Sequence, residues 1–533
     1  MGELWVQGPK FGMAASLVTG FVLVWMPIAI QTRRYHQSLR AWAMSPVYAI
    51  AAMLVTWVVM MPVLLVLAKT FNVGTKTGPS ADWFLLMALP VGGLVAWWYV
   101  NRQNWAAPDR LHRGAQIADS AAWLKETARA KKAHGDQVLT LAGIFVNEDD
   151  ETKHFKILGT TGAGKSTAIR ELMGQALKRG DRAVFADPGG DYLSRFYDPA
   201  RGDVILNPFD PRSLRWDLFG EFSERYEVDQ LVRSLIPAED EWSGYARTFV
   251  SAVIGQCAQR GAGDLPELWR LISSAPRGEL QQLLEGTPAQ PFLDDDNARM
   301  FGSIRAVTVS ALAALQYVCD QPAGAPFSVR QWVRTGKGVL FLSYQPEQIA
   351  ALSALIATWV RLAIFQTMGL GDVSQTGGTD RRLWFVIDEL DALGRINGLK
   401  DALARLRKAG GRCVLGFQSI AQVSAIYGQG EARTIVENCS NTLILRCSGS
   451  EGGGTSDFAS NLIGQREIVR QTVSTSESGG GLLQRRQSSV SYGQEYRTEH
   501  AVLASEIEAL PDRRGFLKAA SSEMWVRVEI SSN

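Results

Sequence analysis

The sequence predicts an α/β fold: a parallel sheet covered on both faces, interrupted by an all-helical insertion and preceded by membrane-spanning helices. Three observations predict it. Residues 159–167 read GTTGAGKST between a short apolar strand and a helix-forming stretch. The runs RAVFAD, GVLFLSY, TLILRC and MWVRVEI are largely continuous in apolar residues, several without alternation, as strands buried on both faces are. Before residue 101 lie three apolar segments close to the roughly 20 residues a bilayer-spanning helix needs.

Those segments are residues 11–30, 47–68 and 83–100, the last short and broken by Pro90, Gly92 and Gly93. Trp25, Trp83, Trp97 and Trp98 stand near their ends, where an interfacial belt places them. The first is not a signal peptide, because Lys10 is balanced by Glu3 before it and TRRYHQSLR follows it. Arg33, Arg34 and Arg40 after the first segment, and Arg102, Arg110 and Arg113 after the third, contrast with Lys69, Lys76 and Asp82 between the second and third. The positive-inside rule then predicts a multi-pass membrane anchor with the N-terminus outside and everything after residue 100 in the cytoplasm. A two-span hairpin with the first segment lying in the interface remains the alternative. The five cysteines, Cys257, Cys319, Cys413, Cys439 and Cys447, show no C-x-x-C spacing and read as core thiols of a reducing compartment. A net charge of +2 over 533 residues points to no polyanion partner by itself.

The stretch HFKILGTTGAGKSTAIRELMGQALKRG fits strand, loop, helix and stop, with Gly180 ending the helix. Gly159 to Ser166 match G-x-x-x-x-G-K-[ST], the loop that cradles nucleotide phosphates. Gly159, Gly162 and Gly164 let backbone N–H groups turn inward, and the helix N-terminus adds partial positive charge. Lys165 is placed for the β- and γ-phosphates and Ser166 for Mg²⁺. The segment Gly159, Thr160, Thr161, Gly162, Ala163, Gly164, Lys165, Ser166 and Thr167 is therefore the candidate ATP site.

Such a loop asks for a carboxylate at the end of a neighbouring buried strand. RLWFVIDEL supplies Asp388, to hold the metal ion with Ser166, and Glu389, to orient or deprotonate water. LKDALARLRKAGGRCVLGFQS then reads as a helix, a glycine stop and a strand closed by Gln418, where RecA-like motors sense the γ-phosphate. Arg405, Arg407 and Lys408 leave two readings open, a solvated basic face or an arginine completing a neighbour's site. Together these elements point to a RecA-like core.

Residues 221–321 break the α/β rhythm with helical stretches such as YEVDQLVRSLI and YARTFVSAVIGQCAQ. This window holds no lysine, 8 arginines and 15 acidic residues, a net of −7 that leaves +9 for the remainder. Bulk DNA binding there is disfavoured, and a protein partner or local arginine contacts fit better. DSAAWLKETARAKKAHGDQ reads as a linker helix between membrane and motor in preference to a membrane-surface helix, and residues 474–498 as a mobile Ser/Gly-rich stretch, either a pore loop or a surface loop. The expected organisation is 1–108 transmembrane region with two or three helices, 109–150 linker helix and entry to the motor, 151–220 first part of the nucleotide-binding domain, 221–321 all-α insert, and 322–533 second part.

GTTGAGKS, RGDRAVFADPGGDYLSRFYDP, ILNPFDPRSLRWDLF and RKAGGRCVLGFQSIAQVSAIYG, with the helical insert and RLWFVIDEL, resemble the TraD-type coupling proteins of bacterial conjugation. The resemblance covers the chain from the third apolar segment onward. It implies an inner-membrane ATPase, related to the septal translocase FtsK and working as a hexamer. Such a protein links a relaxase–DNA complex, the relaxosome, to the channel proteins of a type IV secretion system. It implies that Lys165 is essential, that Asp388 and Glu389 form the acidic motif, that Gln418 is the sensor and that Arg407 is the trans-acting finger. It also implies that the insert faces the DNA or relaxosome. Family members usually have two spans, and some carry a long C-terminal tail that docks the relaxosome, so partner recognition is expected in the acidic insert. The alternatives are an FtsK-like chromosome motor and a membrane receptor for protein secretion that does not translocate DNA.

Overall fold

The computed structural model describes residues 109–531 apart from 262, 323, 373–380, 451–452 and 479–486, together with a few helical residues between 21 and 58. The apolar segment 83–100 and most of segments 11–30 and 47–68 lie outside the described residues. Where residues 46–58 are described they are helical, and Ile50, Leu54 and Val58, one turn apart, are 50%, 59% and 63% exposed.

The larger of two compact units comprises residues 115–465 and 500–533. Its centre is a ten-stranded sheet whose strands in chain order are β1 (Ile117–Asp119), β2 (Phe155–Leu158), β3 (Arg182–Pro188), β4 (Val204–Ile205), β5 (Val339–Tyr344), β6 (Leu383–Ile387), β7 (Gly411–Phe417), β8 (Asn441–Ile444), β9 (Arg514–Lys518) and β10 (Trp525–Glu529). Across the sheet the order is β1-β10-β9-β8-β2-β7-β6-β3-β5-β4. From β8 to β4 every pairing is parallel, but β9 runs antiparallel to both β8 and β10, so the sheet is mixed rather than parallel throughout. The antiparallel edge follows from chain economy, since the short connection between β9 and β10 allows a hairpin and no crossover.

Alternate residues of the central strands feed two cores. Leu383, Phe385 and Ile387 of β6 and Cys413, Leu415 and Phe417 of β7 face one layer, while Trp384, Val386 and Val414 face the other. Both faces are apolar, which is why the strands read as unbroken hydrophobic runs. Among the described residues one helix, 346–369, is long and apolar enough to cross a membrane, yet Leu352, Ile356, Trp359 and Ala363 bury it in the first core.

The insertion leaves the sheet through a narrow neck. Arg215–Trp216 pairs in parallel with Pro326–Phe327, and between them run helices Arg225–Leu235, Glu241–Gln259, Leu265–Ser273, Arg277–Leu283, Ala298–Ala311 and Ala314–Cys319. Glu221 ties the outgoing and returning chains. Its buried carboxylate accepts hydrogen bonds from Trp216 Nε1, Val329 N and Arg330 N.

The smaller unit contains residues 466–499 and the chain up to 114. In it Arg110–Gly114 pairs antiparallel with Gln465–Ser478, which is followed in the same sheet by Gln487–His500. Arg470 binds Asp109 at 2.8 Å and Arg466 binds Glu499 at 2.8 Å. The expectation of a loop at 474–498 is therefore corrected to two strands, with 479–486 outside the described residues. Valine, threonine and tyrosine in these segments favour strand, a preference that the serine and glycine content around them outweighs when composition alone is read.

At the N-terminal edge of the parallel strands, His154 adopts φ +56° and is buried. Its Nε2 bonds Leu403 O at 2.9 Å and its Nδ1 accepts the Cys413 amide at 3.1 Å. Beside it Arg412 and Arg179 share Glu151, Arg179 also grips Asp181, and Asp181 accepts the Trp384 indole N–H, a buried cluster with two positive and two negative groups. Burial, aided by Arg407 and Arg412, lowers the His154 pKa to about 4. The unfolded chain, with an ordinary histidine pKa near 6.5, takes up a proton below that pH while the folded protein does not. The contribution of the neutral ring is complete above pH 6.5 and is lost as pH falls toward 4. Between pH 7.5 and pH 5 the wild type should lose about 2 kcal/mol of unfolding free energy that His154→Gln does not lose, read from urea titrations of both at each pH.

Candidate nucleotide-binding site

The site lies where β2, β7 and β6 end. Gly159 N bonds Phe417 O, and Thr160 N bonds Arg446 O at 2.8 Å, so the glycine loop is suspended between the ends of its neighbours. Gly162 and Gly164 take φ of +78° and +111°, which turns the backbone inward, and the helix Lys165–Lys178 starts at once. The far wall comes from the last strands. Arg513, a non-glycine at φ +64°, donates its amide to Ala163 O at 2.8 Å and accepts from Ile530 N at 2.8 Å. A Cβ on Gly164 would sit 3.3 Å from the Arg513 Cα.

Lys165 is buried and curls into its own loop, with Nζ donating to Gly159 O at 2.7 Å. Burial pulls its pKa down, while Asp388 and Glu389 pull it up. Ser166 Oγ donates to Asp388 Oδ2 at 2.6 Å across 222 residues of sequence. The same oxygen accepts the Tyr192 hydroxyl at 2.7 Å. The other oxygen, Asp388 Oδ1, is buried and has no hydrogen-bond partner among the described residues. Glu389, half-buried, accepts from Gln418 Nε2, and Gln418 Oε1 accepts from Thr161 Oγ1 at 3.2 Å. Burial first, then the Asp388 charge, push the Glu389 carboxyl up, and the Gln418 amide opposes them.

The structure thus brings Lys165, Ser166, Asp388, Glu389, Gln418 and Thr161 together around the loop; Thr167 follows on the helix, where its Oγ1 accepts from Arg170 at 3.1 Å. Arg407 is elsewhere. It is exposed in the turn before β7, whose seven residues separate it from the Gln418 end by about 20 Å. Tyr192 and Asp187 were not singled out by sequence. The only signal was the DPGGDY that ends β3, where two left-handed glycines reverse the chain into helix Asp191–Phe196. Asp187 caps that helix through the amides of Tyr192 (3.1 Å) and Leu193 (2.7 Å), and burial pushes its carboxyl up to about 7.

A magnesium ion carried by a nucleotide asks one or two oxygens of the protein and takes the rest from phosphate and water. The bare, buried Asp388 Oδ1 beside the Ser166 hydroxyl fits that requirement.

Residues 138–531 match the family model described as the type IV secretion-system coupling protein DNA-binding domain. The chain is 30% identical over 427 residues to coupling protein TraD of Escherichia coli (strain K12), covering 78% of this chain and 57% of that protein's length. It is 25% identical over 294 residues to the coupling protein VirD4 of Bartonella quintana, 52% of this chain and 44% of the relative. Among solved structures, the conjugative coupling protein TrwB lacking its first segment superposes with a TM-score of 0.67 at 30% identity, covering 80% of this chain and 94% of that one. TrwB in complex with ADP and Mg²⁺ superposes equally well at 29% identity. The sheet described above is accordingly a RecA-like P-loop ATPase fold with a mixed sheet.

Close packing makes one backbone position decisive. A Cβ on Gly416 would lie 2.1 Å from the Asp388 carbonyl oxygen. Gly416→Ala should destabilise the protein by about 1–3 kcal/mol. It should also weaken nucleotide binding, because the strand end carrying Gln418 must move away from Asp388. Thermal melting and a fluorescent-nucleotide titration read the two effects.

Proposed function

The chain belongs to the type IV secretion-system coupling proteins, and we propose that it is an inner-membrane, ATP-hydrolysing DNA translocase and substrate receptor that joins a relaxase–DNA complex to a secretion channel. The observation that carries the reading is the convergence on the glycine loop of Asp388, with one oxygen free, and of the Glu389–Gln418–Thr161 chain. Loop amides and Lys165 hold the phosphates, and Ser166 and Asp388 hold magnesium. The bound ion would draw charge from the β- and γ-phosphate oxygens. Glu389, kept more basic than an ordinary carboxylate, receives the proton of the attacking water. Gln418, bonded to both Glu389 and Thr161, links the water side of the site to the phosphate loop.

Arg407 supports a ring. An exposed arginine about 20 Å from its own subunit's loop reaches a phosphate only in the site of a neighbour. Ring closure by head-to-tail contacts, in a hexamer, supplies that neighbour. The exposed aliphatic face of Ile50, Leu54 and Val58 suits burial in lipid hydrocarbon. The domain division expected from sequence stands as part of this proposal, with the helical insert on its narrow neck as the body that meets DNA or the relaxosome.

The test uses the full chain in detergent, assayed for ATP hydrolysis with and without single- and double-stranded DNA. Lys165→Ala, Glu389→Gln and Arg407→Ala should each lower turnover at least about 100-fold, with nucleotide still bound in the latter two. Mixing Arg407→Ala with Glu389→Gln subunits should restore about a quarter of the interfaces, each joining an intact Glu389 to an intact Arg407. Mixed rings without recovery would remove the trans role of Arg407. Turnover that ignores DNA would favour a receptor for protein secretion.

A further inference from the structure

We propose that Tyr192 is a positioning residue for the metal carboxylate: its buried hydroxyl holds Asp388 by Oδ2 and so leaves Oδ1 free for the cation. The inference rests on the nucleotide reading of the loop and deepens it.

The geometry points to positioning rather than packing. Tyr192 is 1% exposed, and its ring stacks on Phe185 at 5.1 Å between centroids. A phenylalanine would fill that space and would bury no polar atom. Burying a hydroxyl in an apolar layer is unfavourable unless it finds a partner. Here the partner is a carboxylate that also receives Ser166, the other proposed metal ligand, on the same oxygen. Two donors on one oxygen lock the carboxylate's rotation, and the second oxygen is left buried and bare.

The mount of the tyrosine is itself rigid. Gly189 and Gly190, both left-handed, fold the chain back on the end of β3. Asp187 then pins the amides of Tyr192 and Leu193, so the first turn of the helix cannot slide. Asp187 and Asp388 stand at the ends of adjacent parallel strands β3 and β6, which pair residue for residue from Leu383–Arg182 to Ile387–Ala186, and Tyr192 lies in the helix that follows β3. Partners that orient metal-ligating carboxylates typically change metal affinity 10–100-fold when removed, whereas packing residues change stability without regard to the metal.

The experiment titrates a fluorescent ADP analogue into the detergent-purified full chain, wild type and Tyr192→Phe, in EDTA and across a magnesium series. Wild type should gain affinity with magnesium. Tyr192→Phe should bind the analogue in EDTA within about two-fold of wild type and need about ten-fold more magnesium for half of the gain. An unchanged magnesium midpoint overturns the proposal. So does a loss of the same factor in EDTA and in magnesium, the mark of a packing role. If the variant melts lower, the ratio of its own two affinities still decides, since a fold defect leaves that ratio at the wild-type value. Lys165→Ala runs in parallel. Its binding as well as wild type in both media would instead refute the nucleotide reading of the loop, an outcome distinct from failure of the tyrosine alone.

Discussion

The parallel pairing of β2, β7, β6 and β3 is the constraint on which the site depends. Each pair is in register where it is hydrogen-bonded, so the strands end within two residues of one another, and the backbone carries Ser166, Gln418, Asp388 and Asp187 to one end of the sheet. That pairing brings Ser166 within 2.6 Å of a carboxylate 222 residues away. The pairing in turn requires two apolar faces, because crossover connections put helices on both sides of such a sheet. The uninterrupted hydrophobic runs and the convergence of polar groups at their ends are therefore one property of the fold.

The opposite edge of the same strands is held by charge. Arg412 is 2% exposed, and its guanidinium is neutralised by Glu151, which also serves Arg179. Losing one member of such a cluster leaves a buried, unpaired charge, so these residues act as a clamp on the starts of β3, β6 and β7. Arg407 stands five residues before Arg412 on the turn that this clamp anchors. The position of an exposed arginine on one rim is in this way tied to the same strands that position the phosphate loop on the other.

How much of this was legible depended on whether the determinant was local. The glycine loop, the Asp388–Glu389 pair and the strand ending in Gln418 were legible because each is a short pattern at the end of an apolar run. The helical insert was legible from its periodicity. Tyr192 was not, because its partner lies 196 residues away and a tyrosine after DPGGD looks like any helix residue. The buried cluster of Glu151, Arg179, Asp181 and Arg412 was equally hidden, since charged residues in sequence read as surface. The ribbon at Gln465–Ser478 and Gln487–His500 was misread because serine and glycine content outweighed the strand preference of its valine, threonine and tyrosine. The antiparallel edge strand β9 escaped notice for want of any local mark of direction.

The wall of the phosphate loop has a consequence for how the protein is made. Ala163 is closed off by Arg513, and Arg513 by Ile530, so a loop made early is finished by residues made roughly 350 positions later. At about 5–20 residues per second, a ribosome takes on the order of 20–70 seconds to cover that interval. Throughout it the nascent chain displays a phosphate loop that lacks one side. The wall exists only once β9 and β10 have emerged and added themselves to the sheet edge. A chain truncated before them would keep the sequence signature of a nucleotide site without its architecture.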